Sequence, residues 1–420
     1  MRIVHVSANQ DGGAGRAATR LHRGLRQIGH DSIFFVRDLA EAGEGIVAFD
    51  GRAGLFTRML RNARRRRIEA DFAPYRKKRI EGQEFFSDDR GVLGGELQRQ
   101  LPAADVVNLH WVAGFADCTD FLSQIPARTP VVWTLHDMNP FTGGCHYDRN
   151  CGKFAAACGA CPELNSEEQE DLSRSIWERK KKAIAGVPRG RLQIVTDSHW
   201  LASQAKRSSL FQELPVTAIH YSLDVETFAP RERAAARSVL GLRANARVIL
   251  FVADHPKISR KGFAVLAEAF AMLSGGPELL LLSMGRSKPE LPKRFAHLHL
   301  GYVTDDRFQA VIYSAADVFV IPSLQEAFGQ TALEAMACGT PVVGSDAGGI
   351  PEIVREGATG LLFPAGDAKA LAAALERILG DDGLREGAAR ECRRVALEEY
   401  SLEIQARRYV KLYEEMVKAN

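Results

Sequence analysis

The chain has 420 residues, 46% hydrophobic, 25% charged and 8% aromatic, with a net charge of +3. This length calls for two domains, and the composition excludes collagen-like, coiled-coil and wholly disordered chains. Apolar runs such as 248–253 and 279–282 fall far below the ~18 residues of a spanning helix, and residues 1–7 do not resemble a signal peptide. A cytoplasmic protein is expected.

In chain order, short β-branched runs predict strands over residues 2–7, 32–36, 105–109, 131–135 and 193–196, then over 248–253, 278–284, 317–322, 341–346 and 360–363. Their nearly continuous apolar character fits strands buried on both faces, hence parallel sheets with helices on either side. The helices between them space apolar residues by about 3.6, as in Phe263, Leu266, Ala267, Phe270 and Leu273. The expected organisation is an α/β protein with two doubly wound domains, 1–222 and 223–400. A closing helix over 401–420 buries Leu402, Ala406, Tyr409, Val410, Tyr413 and Met416. Ligands of such sheets bind beyond the carboxyl ends of the strands, so residues just after strands are the informative ones.

Charge is uneven. Between residues 58 and 79 ten basic residues (Arg58, Arg61, Arg64, Arg65, Arg66, Arg67, Arg76, Lys77, Lys78 and Arg79) stand against Glu69 and Asp71, so the rest of the chain is net acidic. A solvated helix face is one explanation; an anionic membrane surface is the other. Nucleic acid is not an expected partner.

Three constellations carry chemistry. Asp11-Gly-Gly-Ala-Gly-Arg-Ala-Ala18 opens a helix expected over 14–28, where Gly13 would let backbone N–H groups approach a phosphate. Gly13-x-Gly15-x-x-Ala18 satisfies a dinucleotide fingerprint, but residues 8–12 are expected to separate it from its strand, which disfavours an NAD enzyme. The second runs from Gln325 to Val343. Glu326 follows a strand, Phe328, Gly329, Gln330 and Thr331 open a helix, and Glu334 falls in its first turn. Helix-start N–H groups would take a phosphate while the carboxylates accept hydroxyl hydrogen bonds; simple helix capping is the alternative. The third is Cys145, Cys151, Cys158 and Cys161, spaced C-x5-C-x6-C-x2-C in a glycine-rich loop over 143–164. Structural zinc, disulfides and free thiols all remain open, with His146 a weaker ligand candidate. Cys118, Cys338 and Cys392 are expected to be small core or surface residues. His110, His199, Trp111, Trp133 and Trp200 are expected mainly as structural or packing residues.

Glu326 and Glu334 in Glu-x7-Glu, the continuation through Val343, and Asp346-Ala-Gly-Gly-Ile-Pro-Glu-Ile-Val354 resemble the family-4 retaining glycosyltransferases. Gly12-Gly13, Thr134-Leu-His-Asp137, Asp197-Ser-His-Trp-Leu-Ala202 and Ser259-Arg-Lys-Gly262 follow in the family's order. The stretches 107–111 and 133–147 are similar to the branch that builds colanic-acid-type exopolysaccharides. The resemblance implies a GT-B fold, two facing Rossmann-like domains with the C-terminal helix crossing back to the first. It places the acceptor on 1–222 and the nucleotide-sugar donor on 223–400.

By the same resemblance Lys261 contacts the donor diphosphate, Glu326 the sugar hydroxyls and Glu334 the ribose. His136 touches the donor sugar from the first domain, and the Val303 backbone lies by the base. Two departures stand out: His255 where the family usually has arginine, with Arg260 a possible replacement, and Tyr221-Ser222 in place of an Asn-Gly pair. The implied reaction is retaining transfer of a hexose from a UDP- or GDP-sugar to a saccharide acceptor, lipid-linked, in surface polysaccharide synthesis, at the inner face of the membrane. It requires no catalytic divalent metal. The alternatives are a hydrolysing epimerase of the same fold and a zinc-stapled, non-enzymatic anion-binding protein.

Overall fold

A computed structural model of the chain describes residues 1–126, 128–274, 278–293 and 295–419. It divides into two compact units, Met1–His220 with the helix Leu402–Ala419, and Tyr221–Ser401. The first holds seven strands: β1 (Arg2–Asn9), β2 (Asp31–Asp38), β3 (Ile46–Ala48), β4 (Val106–Leu109), β5 (Val131–Leu135), β6 (Leu192–Thr196) and β7 (Val216–Ala218). The second holds six: β8 (Arg247–Val252), β9 (Leu279–Met284), β10 (Ala296–His299), β11 (Val318–Ile321), β12 (Val342–Asp346) and β13 (Gly360–Pro364).

The sheet orders are β3-β2-β1-β4-β5-β6-β7 and β10-β9-β8-β11-β12-β13, and every pairing is parallel. Both are doubly wound, Rossmann-like sheets, with order reversing at β1/β4 and at β8/β11, where such sheets open a crevice for ligands. Central strands such as β4, β5, β6 and β11 are buried at every residue, as their apolar runs dictate. The strands missing from the sequence expectation, β3, β7 and β10, are three or four residues long and partly exposed at sheet edges, so they carry no continuous apolar run.

The closing helix Leu402–Ala419 packs in the first unit. Ala406, Tyr409, Tyr413 and Met416 join Ile3, Leu21, Leu25, Val106, Val132 and Val195 in one core cluster, with Val410 at its rim. Two buried hydrogen bonds lock its rotation: Asn108 Nδ2 donates to the Tyr413 hydroxyl (2.7 Å), and the Thr134 and Tyr409 hydroxyls lie 3.1 Å apart.

The basic segment forms the helix Leu55–Arg76, none of whose residues is buried. Arg61 pairs with Glu96 at 2.7 Å, and Arg79, just beyond the helix, donates to the Glu163 carbonyl at 3.0 Å, so two of the ten cations serve the fold. Arg64, Arg65, Arg66 and Arg67 are exposed.

Candidate functional site

In the second unit the cations converge on one carboxylate. Lys261 Nζ donates to Glu326 Oε2 at 2.8 Å, Arg260 Nη1 to the same oxygen at 3.2 Å, and Ser323 Oγ at 3.3 Å. Arg260 also donates to the Gln325 carbonyl (2.9 Å), so its side chain turns into the cluster. Two glycines make this approach possible. Gly262 follows Lys261 at φ +68°, and a Cβ there would stand 1.8 Å from the Pro322 carbonyl oxygen just beyond β11. At Gly348, φ +61°, a Cβ would stand 1.9 Å from the Glu326 carbonyl oxygen, which also accepts the Gly349 N–H at 2.9 Å. Burial works against ionisation of Glu326, but Lys261 and Arg260 outweigh it and hold the carboxyl down at about 2.

The helix after this loop is Gln330–Ala337, led by Gly329 at φ +101° with no side-chain cap and no acidic residue in its first turn. The sequence expectation therefore needs correction: Phe328 precedes the helix, and Glu334 lies beyond its first turn. Phe328 is buried edge-on against Tyr221 and Tyr400, with ring centroids 5.1 and 6.1 Å away. Glu334 is buried and accepts from the Tyr313 hydroxyl at 2.9 Å. Gln330 and Thr331 remain partly exposed. The first turn of this helix carries no acidic side chain, so the partial positive charge of its start favours an anion.

The Val303 carbonyl accepts from Gln309 Nε2 at 2.6 Å. Next to it Tyr302, 39% exposed, carries the Arg286 guanidinium 3.8 Å above its ring. Sequence reasoning missed Tyr313, Gln309, Tyr302 and Arg286, because each acts through a fold contact rather than a motif. His255 is exposed.

In the first unit β1 runs through Asn9, since Asn9 pairs with Asp38, and the next helix, Gly12–Gln27, begins earlier than expected. Only Gln10, Asp11 and Gly12 stand between the strand and Gly13, so the five-residue separation expected from sequence is corrected to three. Gly13 is exposed in the first helical turn. The strand order brings three distant histidines into a row. His5 Nδ1 lies 2.9 Å from His110 Nε2, and His110 Nδ1 lies 3.0 Å from His136 Nε2. Burial pushes all three down, His136 to about 4, so they are neutral at pH 7. His136 is partly exposed after β5, while His110 is buried and His199 exposed. Trp133 is buried, and Trp111 Nε1 donates to Asp137 Oδ2 at 3.2 Å.

Among the described residues no cysteine forms a disulfide. Cys118, Cys338 and Cys392 are buried core residues, whereas Cys145, Cys151, Cys158 and Cys161 line one small cavity. Both His146 nitrogens are engaged, Nδ1 with Asp137 Oδ2 at 2.7 Å and Nε2 with Ser87 Oγ at 2.8 Å, which removes it from the ligand candidates.

Residues 246–381 match the family model "Glycosyl transferases group 1". The chain is 34% identical over 312 residues to a D-inositol 3-phosphate glycosyltransferase of Mycolicibacterium vanbaalenii, covering 70% of this chain and 63% of that relative. It is 30% identical over 340 residues to the protein of that name in Actinosynnema mirum, covering 77% of this chain and 75% of the relative. The chain belongs to the group 1 glycosyltransferases.

The fold agrees with that membership. Sucrose-phosphate synthase from Thermosynechococcus elongatus superposes with a TM-score of 0.71 at 22% identity, covering all of both chains. Anabaena HepE in complex with UDP and glucose superposes with a TM-score of 0.66 at 17% identity, covering 99% of each. The GT-B architecture is thereby shared with known transferases.

Proposed function

We propose that this group 1 glycosyltransferase is a retaining enzyme that transfers a hexose from a UDP- or GDP-sugar to a lipid-linked saccharide acceptor in surface polysaccharide synthesis. The observation that carries the donor half is the Lys261, Arg260 and Glu326 cluster, with Glu326 three residues before the Gly329 that leads a helix without a side-chain cap. Breaking the bond from the anomeric carbon to phosphate builds negative charge on the leaving diphosphate. Lys261 and the first N–H groups of that helix stabilise it where it develops, so the residues supply the charge a divalent ion otherwise would. Glu326 then accepts hydrogen bonds from the sugar hydroxyls. His136, neutral, contacts the sugar, and Val303 lies by the base. Glu334 acts on the ribose after exchanging its bond to Tyr313. Retention follows from same-face transfer, with the leaving phosphate assisting deprotonation of the acceptor hydroxyl. The UDP bound in the HepE structure supports a uridine donor.

The acceptor half rests on the helix Leu55–Arg76. Beside its exposed arginines, Leu55, Phe56 and Met59 are 80%, 73% and 69% exposed at its start. Apolar side chains next to a basic run fit an anionic bilayer surface, where lipid-linked acceptors are found. The similarity of stretches 107–111 and 133–147 to the colanic-acid branch supports the polysaccharide assignment. The relatives' names favour a second reading, a phosphorylated polyol acceptor.

The test is incubation with UDP-glucose, UDP-galactose and GDP-mannose, with and without inositol 3-phosphate or lipid-linked saccharide. Free nucleotide diphosphate that rises with the lipid-linked acceptor is the expected result. A rise with inositol 3-phosphate alone would establish the second reading, and no release from any donor would defeat both.

A further inference from the structure

We propose that Cys145, Cys151, Cys158 and Cys161 bind one zinc ion, and that this ion holds the platform on which the helix Leu55–Arg76 is seated. The four residues border a cavity of about 10 Å³, room for a single ion, together with Gly143, Lys153, Gly159 and Pro162. Three of the four are buried.

The backbone closes on the same space: the Gly143 N–H donates to Cys158 Sγ at 3.1 Å, and Thr142 Oγ1, next to Gly143, donates to the Cys145 carbonyl at 2.7 Å.

Strain is concentrated in the same loop. Among the described residues every non-glycine at positive φ lies in this loop or at the residue that follows it: Arg149 (+49°), Asn150 (+60°), Ala160 (+43°) and Asn165 (+46°). Such conformations persist only where something over-determines them. Lys153 Nζ does part of this by donating to the carbonyls of Gly159 (3.1 Å) and Ala160 (2.5 Å), across the turn between Cys158 and Cys161. Among the described residues no three of the four sulfurs lie within 4.8 Å of one another. Binding at the ~2.3 Å of a zinc–sulfur bond therefore draws the loop inward. A set of four sulfur donors selects a soft, tetrahedral cation, which for a redox-inert structural site is zinc.

The loop's other side is the seat of the basic helix. Phe72 and Tyr75 pack against Phe86, Leu164, Leu172 and Ile176 in a cluster that includes Cys145 and Cys161. The Tyr75 hydroxyl accepts the Leu172 N–H at 3.2 Å, and Asn165 Nδ2 donates to the Lys78 carbonyl at 2.6 Å.

Two measurements on the full-length, reduced protein test this. Dialysis against zinc and then metal-free buffer, followed by metal analysis, should leave one zinc per chain, and X-ray absorption should report four sulfur neighbours. A chain that keeps no zinc overturns the site, and so does a mass gain of two hydrogens per cysteine pair when the protein as purified is first reduced. Chelation should then raise amide hydrogen exchange over residues 66–79 at least tenfold, leaving exchange over β8 to β13 unchanged. Zinc release with unchanged exchange over 66–79 overturns the seating role. Neither readout uses sugar transfer, so the result stands apart from the proposed reaction.

Discussion

Glu326 is the residue on which the donor reading turns. Its side chain is held between Lys261 and Arg260, so Glu326→Gln leaves two cations without their counter-charge, and Lys261→Ala removes the group nearest the expected diphosphate. Each should lower turnover about 100-fold or more in steady-state kinetics; near-normal turnover by either would refute the assignment. His255→Ala, at an exposed position, should have a much smaller effect. The same carboxylate sets an acid limit on stability. Its pKa is about 2 in the folded chain and near 4.3 when unfolded, so its contribution is complete above the higher value. That contribution, up to about 3 kcal/mol, is lost as pH falls toward the lower one. Urea titrations at pH 5 and pH 3 should show the wild type losing more stability than Glu326→Gln. The histidine row works in the neighbouring range. With folded values pushed below 6.5, its stability is present above pH 6.5 and declines as pH falls and protonation favours the unfolded chain. Between pH 7 and pH 5 the loss should be smaller in His110→Gln than in wild type, and identical slopes would contradict this.

At this scale the sequence was partly legible. Lys261, Glu326 and the cysteines announce themselves by residue type and spacing. Tyr313 beside Glu334, Gln309 at Val303 and the row His5, His110 and His136 do not, because strand register and helix packing bring them together over as many as 131 residues of chain.

Among the elements, the helix Leu55–Arg76 and the closing helix Leu402–Ala419 make opposite claims. The first presents no buried residue. If it meets a bilayer, sedimentation with anionic vesicles at low salt should fall several-fold when Arg64, Arg65, Arg66 and Arg67 become glutamine, each contributing ~1 kcal/mol near the surface. Equal binding by both proteins would assign the helix to solvent. The closing helix is fixed by buried polar contacts. Tyr413→Phe leaves the Asn108 amide without its acceptor and should cost about 1–2 kcal/mol in urea unfolding. A cost near zero would mean that water replaces the hydroxyl. The amphipathic face of the closing helix was readable from its spacing, but the buried Tyr413 to Asn108 bond was not, since Asn108 sits in an otherwise apolar strand. The start of Gln330–Ala337 was misplaced for a related reason: the left-handed Gly329 delays the helix, and residue type alone does not tell a left-handed glycine from one inside a helix.

On the scale of the whole molecule, two parallel sheets were legible because buried strands must read as continuous apolar runs, while edge strands such as Val216–Ala218, with a half-exposed pattern, escaped. Family membership adds what neither pattern supplies, a chemistry for the crevices these sheets open. The central claim is a nucleotide diphosphate held in the second unit by Lys261 and the helix start at Gly329. Isothermal titration of wild type and Lys261→Ala with UDP and with GDP tests it most directly. One of the two nucleotides should bind the wild type, and the variant should bind it at least tenfold more weakly with an unchanged melting temperature. Equal affinity in the two proteins, or binding of neither nucleotide, would contradict the account.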